Sequence, residues 1–282
     1  MTEVQMRILA IYKEIKGICE KHNITYYSIG GTTLGAIRHK GFIPWDDDLD
    51  MAVKIGDFER FVSVCKSELP EWLEVFIPGE TKHCGWPYIK IMDNRTMLTC
   101  SQEMQYPDCY TGVFVDIMIL HGMPKSYKAM AQYIKRWGYL VRGQAAVKSK
   151  LSLKAPLPHV VLWFLMRPYA WFKPADYMWK KFLTFLKQYQ VEGERYVSDT
   201  GGMFIFPQAW FGKTETIPFE DTTICVPVGW DGYLRMVYGE YKQLPPEEKR
   251  HGGHLDKGGV LDLEHSYKEY ASRHVGMTER EK

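Results

Sequence analysis

Apolar residues recur at three- and four-residue steps through Val4, Ile8, Ile11, Tyr12, Ile15, Ile18 and Cys19. That spacing predicts an amphipathic helix ending near His22-Asn23 and packed on a sheet. The period then changes. Tyr26 to Ile29 is aromatic and β-branched and stops at Gly30-Gly31, which predicts a strand running into a tight turn. Thr32 to Ile37 fits one short helix whose N-terminal amides face an anion. Pro44 resets the chain to extended backbone. From Asp48 onward residues alternate, with Asp48, Asp50 and Ala52 on one side and Leu49, Met51 and Val53 on the other. Asp57 can cap a helix whose buried stripe is Phe58, Phe61, Val62, Cys65 and Leu69, stopped by Pro70. Strands follow at Leu73 to Ile77, at Tyr88 to Met92 and, most clearly, at Thr111 to Leu120, where Asp116 interrupts an apolar run. Near the C-terminus, Thr222 to Val226 reads as a strand, and Trp230 to Gly239 as a short helix ended by glycine.

The carboxylates change the picture. Asp46, Asp47, Asp48 and Asp50 place four acids in five positions, an arrangement that repels itself unless a cation sits among the side chains. Taken singly, Asp46 and Asp47 read as turn residues after Pro44-Trp45. Asp48 and Asp50 resist that reading, because aspartate is depleted in strands and these two share a side. Such a pair suits one or two Mg²⁺ ions, with Mn²⁺ as a substitute, and leaves coordination positions open for phosphate. Asp116 is a buried carboxylate and needs a partner, a cation or an arginine. Gly30, Gly31 and Thr32 serve a turn and also let backbone amides approach phosphate.

These residues carry a resemblance. The run Gly30-Gly31-Thr32-x-Leu34-Gly35-x-x-Arg38-x-x-Gly41-Phe42-Ile43-Pro44-Trp45-Asp46-Asp47-Asp48-x-Asp50 resembles the signature of the LicD family of bacterial phosphotransferases. That family is a branch of the nucleotidyltransferase superfamily and is grouped with the fukutin-related ribitol phosphate transferases of animals. Phe114-Val115-Asp116-Ile117 resembles the segment that supplies the family's third carboxylate. Tyr238-Gly239-x-Tyr241-x-x-Leu244-Pro245-Pro246, followed by Arg250 and His251, resembles its closing motif.

The resemblance implies an α/β (α+β) fold, a nucleotidyltransferase-like mixed sheet flanked by helices. Residues 1–120 are expected to form the catalytic core, 121–195 a basic helical insertion, and 196–282 a part completing the core. It implies transfer of phosphocholine, or a similar alcohol phosphate, from a CDP-activated donor to a lipid-linked cell-surface glycan such as a teichoic acid, capsule or lipopolysaccharide precursor. The alternatives are a nucleotidyltransferase that releases pyrophosphate from an NTP and an inactive membrane-associated scaffold. Asp48, Asp50 and Asp116 are the expected catalytic and metal-holding acids, with Asp46 beside them. Arg38 and Lys40 are candidate phosphate contacts. Trp45 can stack on a quaternary ammonium or pack beneath the acidic loop. Arg250, His251 and His254 either reach the donor phosphates or belong to a solvent-exposed tail after Pro245-Pro246.

Charge is unevenly distributed. From His121 to Gln190, thirteen lysines and arginines face one acid, Asp176, a net of +12, so with +2 overall the remainder carries −10. The stretch Leu157 to Phe172 is too short and too interrupted to span a bilayer. Its aromatic residues with flanking lysines suit either an anionic membrane surface or a helical subdomain with a solvated basic face. No nucleic-acid motif accompanies the basic residues. The N-terminus lacks the pattern of a secretory signal, which with the basic segment points to a cytoplasmic protein, peripheral on the inner face of the plasma membrane. Cys19, Cys65, Cys84, Cys100, Cys109 and Cys225 form no Cys-x-x-Cys pair, the usage of reduced thiols, and their spacing with His83 fits no standard zinc finger.

Overall fold

The computed structural model of the protein describes all residues except 82, 101–103, 105, 149–156, 173, 175, 203, 254–258 and 281–282. His254, Lys150, Lys154 and Lys173 therefore lie outside the described residues. The chain begins with α1 (Glu3–Lys21), held at its start by a capping box between Thr2 and Gln5. Then come β1 (Tyr26–Ser28), α2 (Gly30–His39), β2 (Asp50–Lys54), α3 (Ile55–Glu68), β3 (Leu73–Phe76), β4 (Ile89–Asp93), β5 (Met97–Thr99) and β6 (Phe114–Met123). Three helices follow, α4 (Tyr127–Lys148), α5 (Leu157–Phe172) and α6 (Tyr177–Leu186). The chain returns to strands in β7 (Tyr196–Asp199), β8 (Phe206–Pro207), β9 (Thr214–Phe219) and β10 (Thr222–Pro227), and ends with α7 (Trp230–Tyr238), β11 (Val260–Asp262) and α8 (Tyr267–Arg280).

The main sheet is mixed and runs β1-β2-β6-β4-β3, with β7 beside β6 and β8 beside β7. Among the described residues of this sheet, β2 and β6 pair in parallel and the other pairs are antiparallel. This is the α/β class expected from the sequence. Alternation along the strands explains the two cores. Tyr26, Met51, Val53, Ile117 and Ile119 join α1 and α3 in the larger apolar cluster. Tyr27, Ala52, Met118 and Leu120 join Leu34 of α2 and Tyr233 and Leu234 of α7 in the smaller one on the opposite face. Asp50 and Asp116 share the parity of Ala52 and Met118, so both belong to the α2–α7 face.

Several boundaries differ from the sequence reading for identifiable reasons. β2 starts at Asp50 rather than Asp48, because the acidic run stays in the loop that follows Pro44. Lys54, not Asp57, caps α3; Asp57 sits in its first turn and pairs with Arg60. α2 begins at the glycines, with Gly30 at φ +55°, a left-handed backbone that glycine adopts without strain. The chain after Pro246 is no free tail, since β11 pairs with β5 and Tyr267 donates its amide to Thr96 O. Cys84 and Cys109, read as separate thiols, are joined in a disulfide. The short turn Pro107–Cys109 brings their Cα atoms to 5.5 Å. Among the described residues no helix is long and apolar enough to cross a membrane.

One position tests the register of β4 and β6. Gly112 leads into β6 so close to Asp93 O that an added Cβ overlaps this backbone oxygen and crowds Thr96 Oγ1. Gly112→Ala is expected to destabilise the protein by about 3 kcal/mol, read as a lower urea midpoint at unchanged slope.

Candidate active site

A row of three charged side chains crosses the middle of the sheet. In the parallel pair of β2 and β6, Asp50 stands opposite Asp116, and in the antiparallel pair of β6 and β4, Asp116 stands opposite Lys90. Lys90 Nζ donates to Asp116 Oδ1 at 2.7 Å, and both side chains are about 4% exposed. The partner of Asp116 is thus a lysine, where sequence reading offered a cation or an arginine. Aromatic rings enclose the ammonium: the centroids of Phe114, Trp86 and Tyr88 lie 3.2, 4.9 and 5.5 Å from Nζ. The lysine is therefore fixed from both sides, by a charge-assisted hydrogen bond and by ring faces.

Around that row the acidic loop closes up. Ligand oxygens of Asp46, Asp47 and Asp48 all lie within 4.8 Å of one another. Asp47 is buried and accepts the Gly253 amide at 3.1 Å. Burial first, then the charges of Asp48 and Asp47, pushes the Asp46 carboxyl up to about 8. Burial, then Asp48, Asp116 and Asp46, holds the Asp50 carboxyl well above its ordinary range, and Lys90 offsets this only in part. Packing of like charges is the local physics here, and an all-oxygen donor set of this kind matches a hard divalent cation. Asp46, Asp48, Asp50 and Asp116 are the residues that would hold it.

The glycines explain how the acids fit. A Cβ at Gly30 would meet Asp50 Oδ2 at 3.0 Å, and one at Gly31 would meet Asp46 Oδ2 at 2.8 Å, so the carboxylates lie directly against the first turn of α2. Gly30 donates its amide to the Tyr233 hydroxyl at 2.7 Å. Thr32, expected at a phosphate, is buried, and its Oγ1 accepts the Asp50 amide at 2.8 Å, which ties α2 to β2. Tyr238 stands over the same cluster. Burial and the charges of Asp50, Asp46 and Asp48 raise its phenol.

The structure sorts the remaining candidates into two groups. Arg38, expected at the phosphates, donates instead to Tyr241 O at 2.8 Å and Gln243 O at 3.3 Å, fastening α2 to the segment after α7. Lys40 caps α2 in the left-handed region with an exposed side chain, and its carbonyl accepts the Glu220 amide. Trp45 and Arg250 do come together, the guanidinium carbon 5.5 Å from the indole centroid, while the neighbouring His251 is exposed. Gly252 packs against Asp47 and Trp45 O, so residues 250–253 lie across the acidic loop. A cavity of about 410 Å³ opens there, with Trp45, Asp46, Asp47 and Gly252 on one side and Glu3, Leu261 and Leu263 among its other lining residues. Lys90 and Tyr233 are not among the residues that the sequence singles out, and Tyr238 stands there only as part of the closing motif. For Lys90 the available signal was a lone charge in the run Ile89-Lys90-Ile91-Met92.

Residues 23–111 match the family model described as LicD/FKTN/FKRP, nucleotidyltransferase domain. The lipopolysaccharide cholinephosphotransferase LicD of Haemophilus influenzae is 29% identical over 270 residues, covering 93% of this chain and 98% of that protein. Shorter similarities extend to uncharacterized proteins of Rickettsia prowazekii, 32% identical over 99 residues (27% of this chain, 36% of the relative), and Rickettsia typhi, 40% identical over 120 residues (42% and 30%).

The raised carboxyls make a pH prediction. Asp46 binds its proton more tightly folded than unfolded, so stability from it is present at low pH and falls as pH rises from about 4 towards about 8, and the raised Asp50 carboxyl acts in the same direction. Metal-free protein is expected to show a lower Tm at the upper end of that window. Added Mg²⁺ should restore the loss, and Asp46→Asn should flatten the dependence. A Tm independent of pH and of Mg²⁺ would count against a cation site.

Proposed function

We propose that this chain, a LicD-family protein, is a phosphotransferase that moves phosphocholine from a CDP-activated donor to a lipid-linked cell-surface glycan. The observation that supports this most directly is the juxtaposition of Asp46, Asp48, Asp50 and Asp116 with the glycine-opened N-terminus of α2. With a divalent cation held among those carboxylates, such a site would neutralise and position phosphate, which is most of what phosphoryl transfer asks of a protein. The relative from H. influenzae carries the name of the corresponding activity on lipopolysaccharide.

A bound Mg²⁺ would supply charge neutralisation at the donor diphosphate. The protein's own groups do the rest. Asp116, with one oxygen held by Lys90, orients the acceptor hydroxyl beside Asp50 and takes its proton. The hydroxyl oxygen forms a bond to the phosphorus that bears choline, and the bond from that phosphorus to the bridging oxygen breaks. CMP leaves with the bridging oxygen and its electron pair. The products are the phosphocholine ester of the glycan, CMP and one proton. Trp45 lines the cavity beside Asp46 and Asp47, where its ring could take the trimethylammonium group on the face that the guanidinium of Arg250 leaves open.

The test is CMP release by purified protein with Mg²⁺ and a lipid-linked glycan. The donors are CDP-choline, CDP-ribitol, CDP-glycerol and, separately, CTP. Release from CDP-choline that depends on acceptor, and falls roughly a hundred- to thousandfold in Asp50→Asn, is the expected result. Release from another CDP-alcohol would change the cargo, and pyrophosphate from CTP would replace the reading with nucleotidyl transfer. Silence from a folded protein would favour a scaffold.

A further inference from the structure

The helices between β6 and β7 carry a surface that the site does not use. Along α5, Leu157, Val161, Phe164, Leu165 and Phe172 are 74%, 48%, 57%, 70% and 82% exposed. At helical spacing they fall within a sector of about 100°, so they form one continuous apolar stripe turned to solvent. α5 packs along α4, whose inner side buries Tyr133 and Leu140. Lys128, Lys135 and Arg142 recur at seven-residue steps on the opposite side of α4 and are exposed. Neither helix contains an acidic residue.

We propose that this α4–α5 surface docks on an anionic lipid bilayer, the stripe of α5 entering the acyl boundary and the cations of α4 meeting lipid phosphates. Length decides against crossing. Sixteen residues of helix make about 24 Å, short of the hydrocarbon thickness, and the flanks are basic. Charge decides the occupant. A second copy of this chain would bring the same net +12 segment against itself, whereas an acidic leaflet attracts it. Stable peripheral binding takes two signals, apolar insertion and a cationic patch, and both are present on adjacent helices. The surface stands on exposure and charge alone and does not depend on the proposed transferase activity.

Flotation of the full chain with vesicles tests this without any enzymatic readout. Binding is expected to vesicles of equal phosphatidylcholine and phosphatidylglycerol and not to phosphatidylcholine alone. In the double variant Phe164→Asp with Leu165→Asp, the bound fraction should fall about tenfold at unchanged Tm, since both positions are solvent-facing. The triple variant Lys128→Glu, Lys135→Glu, Arg142→Glu should lose the preference for phosphatidylglycerol. Three results would overturn the proposal: wild-type protein that floats with neither vesicle, variants that bind as wild type does, or a dimer that the Phe164/Leu165 variant converts to monomer.

Discussion

Asp50, Asp116 and Lys90 are consecutive across three hydrogen-bonded strands, and the arrangement of the rest of the site follows from that row. Two carboxylates side by side in a parallel pair, one of them buried, would cost several kcal/mol if left alone. One lysine answers only one of them. Lys90 is held to Asp116 and surrounded by Phe114, Trp86 and Tyr88, while Asp50 keeps its charge conflict with Asp48 and Asp46. The sheet therefore holds an electrostatic deficit at one defined point. A cation bound there would relieve the conflict.

The elements on that face are joined through backbone groups rather than through further charges. Thr32 accepts the amide of Asp50, Tyr233 accepts the amide of Gly30, and Arg38 donates to carbonyls beyond α7. Each of these bonds fixes α2 against β2 or α7 without placing another ion in the cluster. The same economy governs the covering segment. Gly252 reaches Asp47 because it has no side chain to keep it away, Gly253 donates its amide to Asp47, and Arg250 approaches the loop over the ring of Trp45.

Legibility in the sequence followed the kind of signal. Period-two alternation located β2 and the side of Asp50, and an apolar run interrupted by one acid located β6 and Asp116; a one-residue register slip would turn either acid into the opposite core. The Gly30-Gly31 turn was visible because tolerance of positive φ is written in residue type. Lys90 was not visible as a site residue: β4 alternates weakly, and its partner lies 26 residues away on a strand whose pairing no local pattern encodes. Arg38 and Thr32 were assigned to phosphate by residue type, and the structure occupies both with backbone groups, which are equally good partners for a guanidinium or a hydroxyl. The pairing of Cys84 with Cys109 likewise depends on a turn that their 25-residue separation does not reveal.

Partial neutralisation by Lys90 has a consequence for the chemistry. Four acids without a counter-charge would bind a divalent ion strongly and leave its field largely spent on protein oxygens. A phosphate group would then gain little by approaching. With Lys90 fixed on Asp116, the negative charge at the site is reduced by one while the oxygens remain, so a bound divalent ion would have less carboxylate charge to offset before a phosphate group approached. The ammonium cannot follow the phosphate, because three rings and a 2.7 Å hydrogen bond keep it on the sheet. It therefore sets the field without competing for the substrate. Fixed charge built into β4 thus lowers the repulsion that an anion would meet beside four carboxylates.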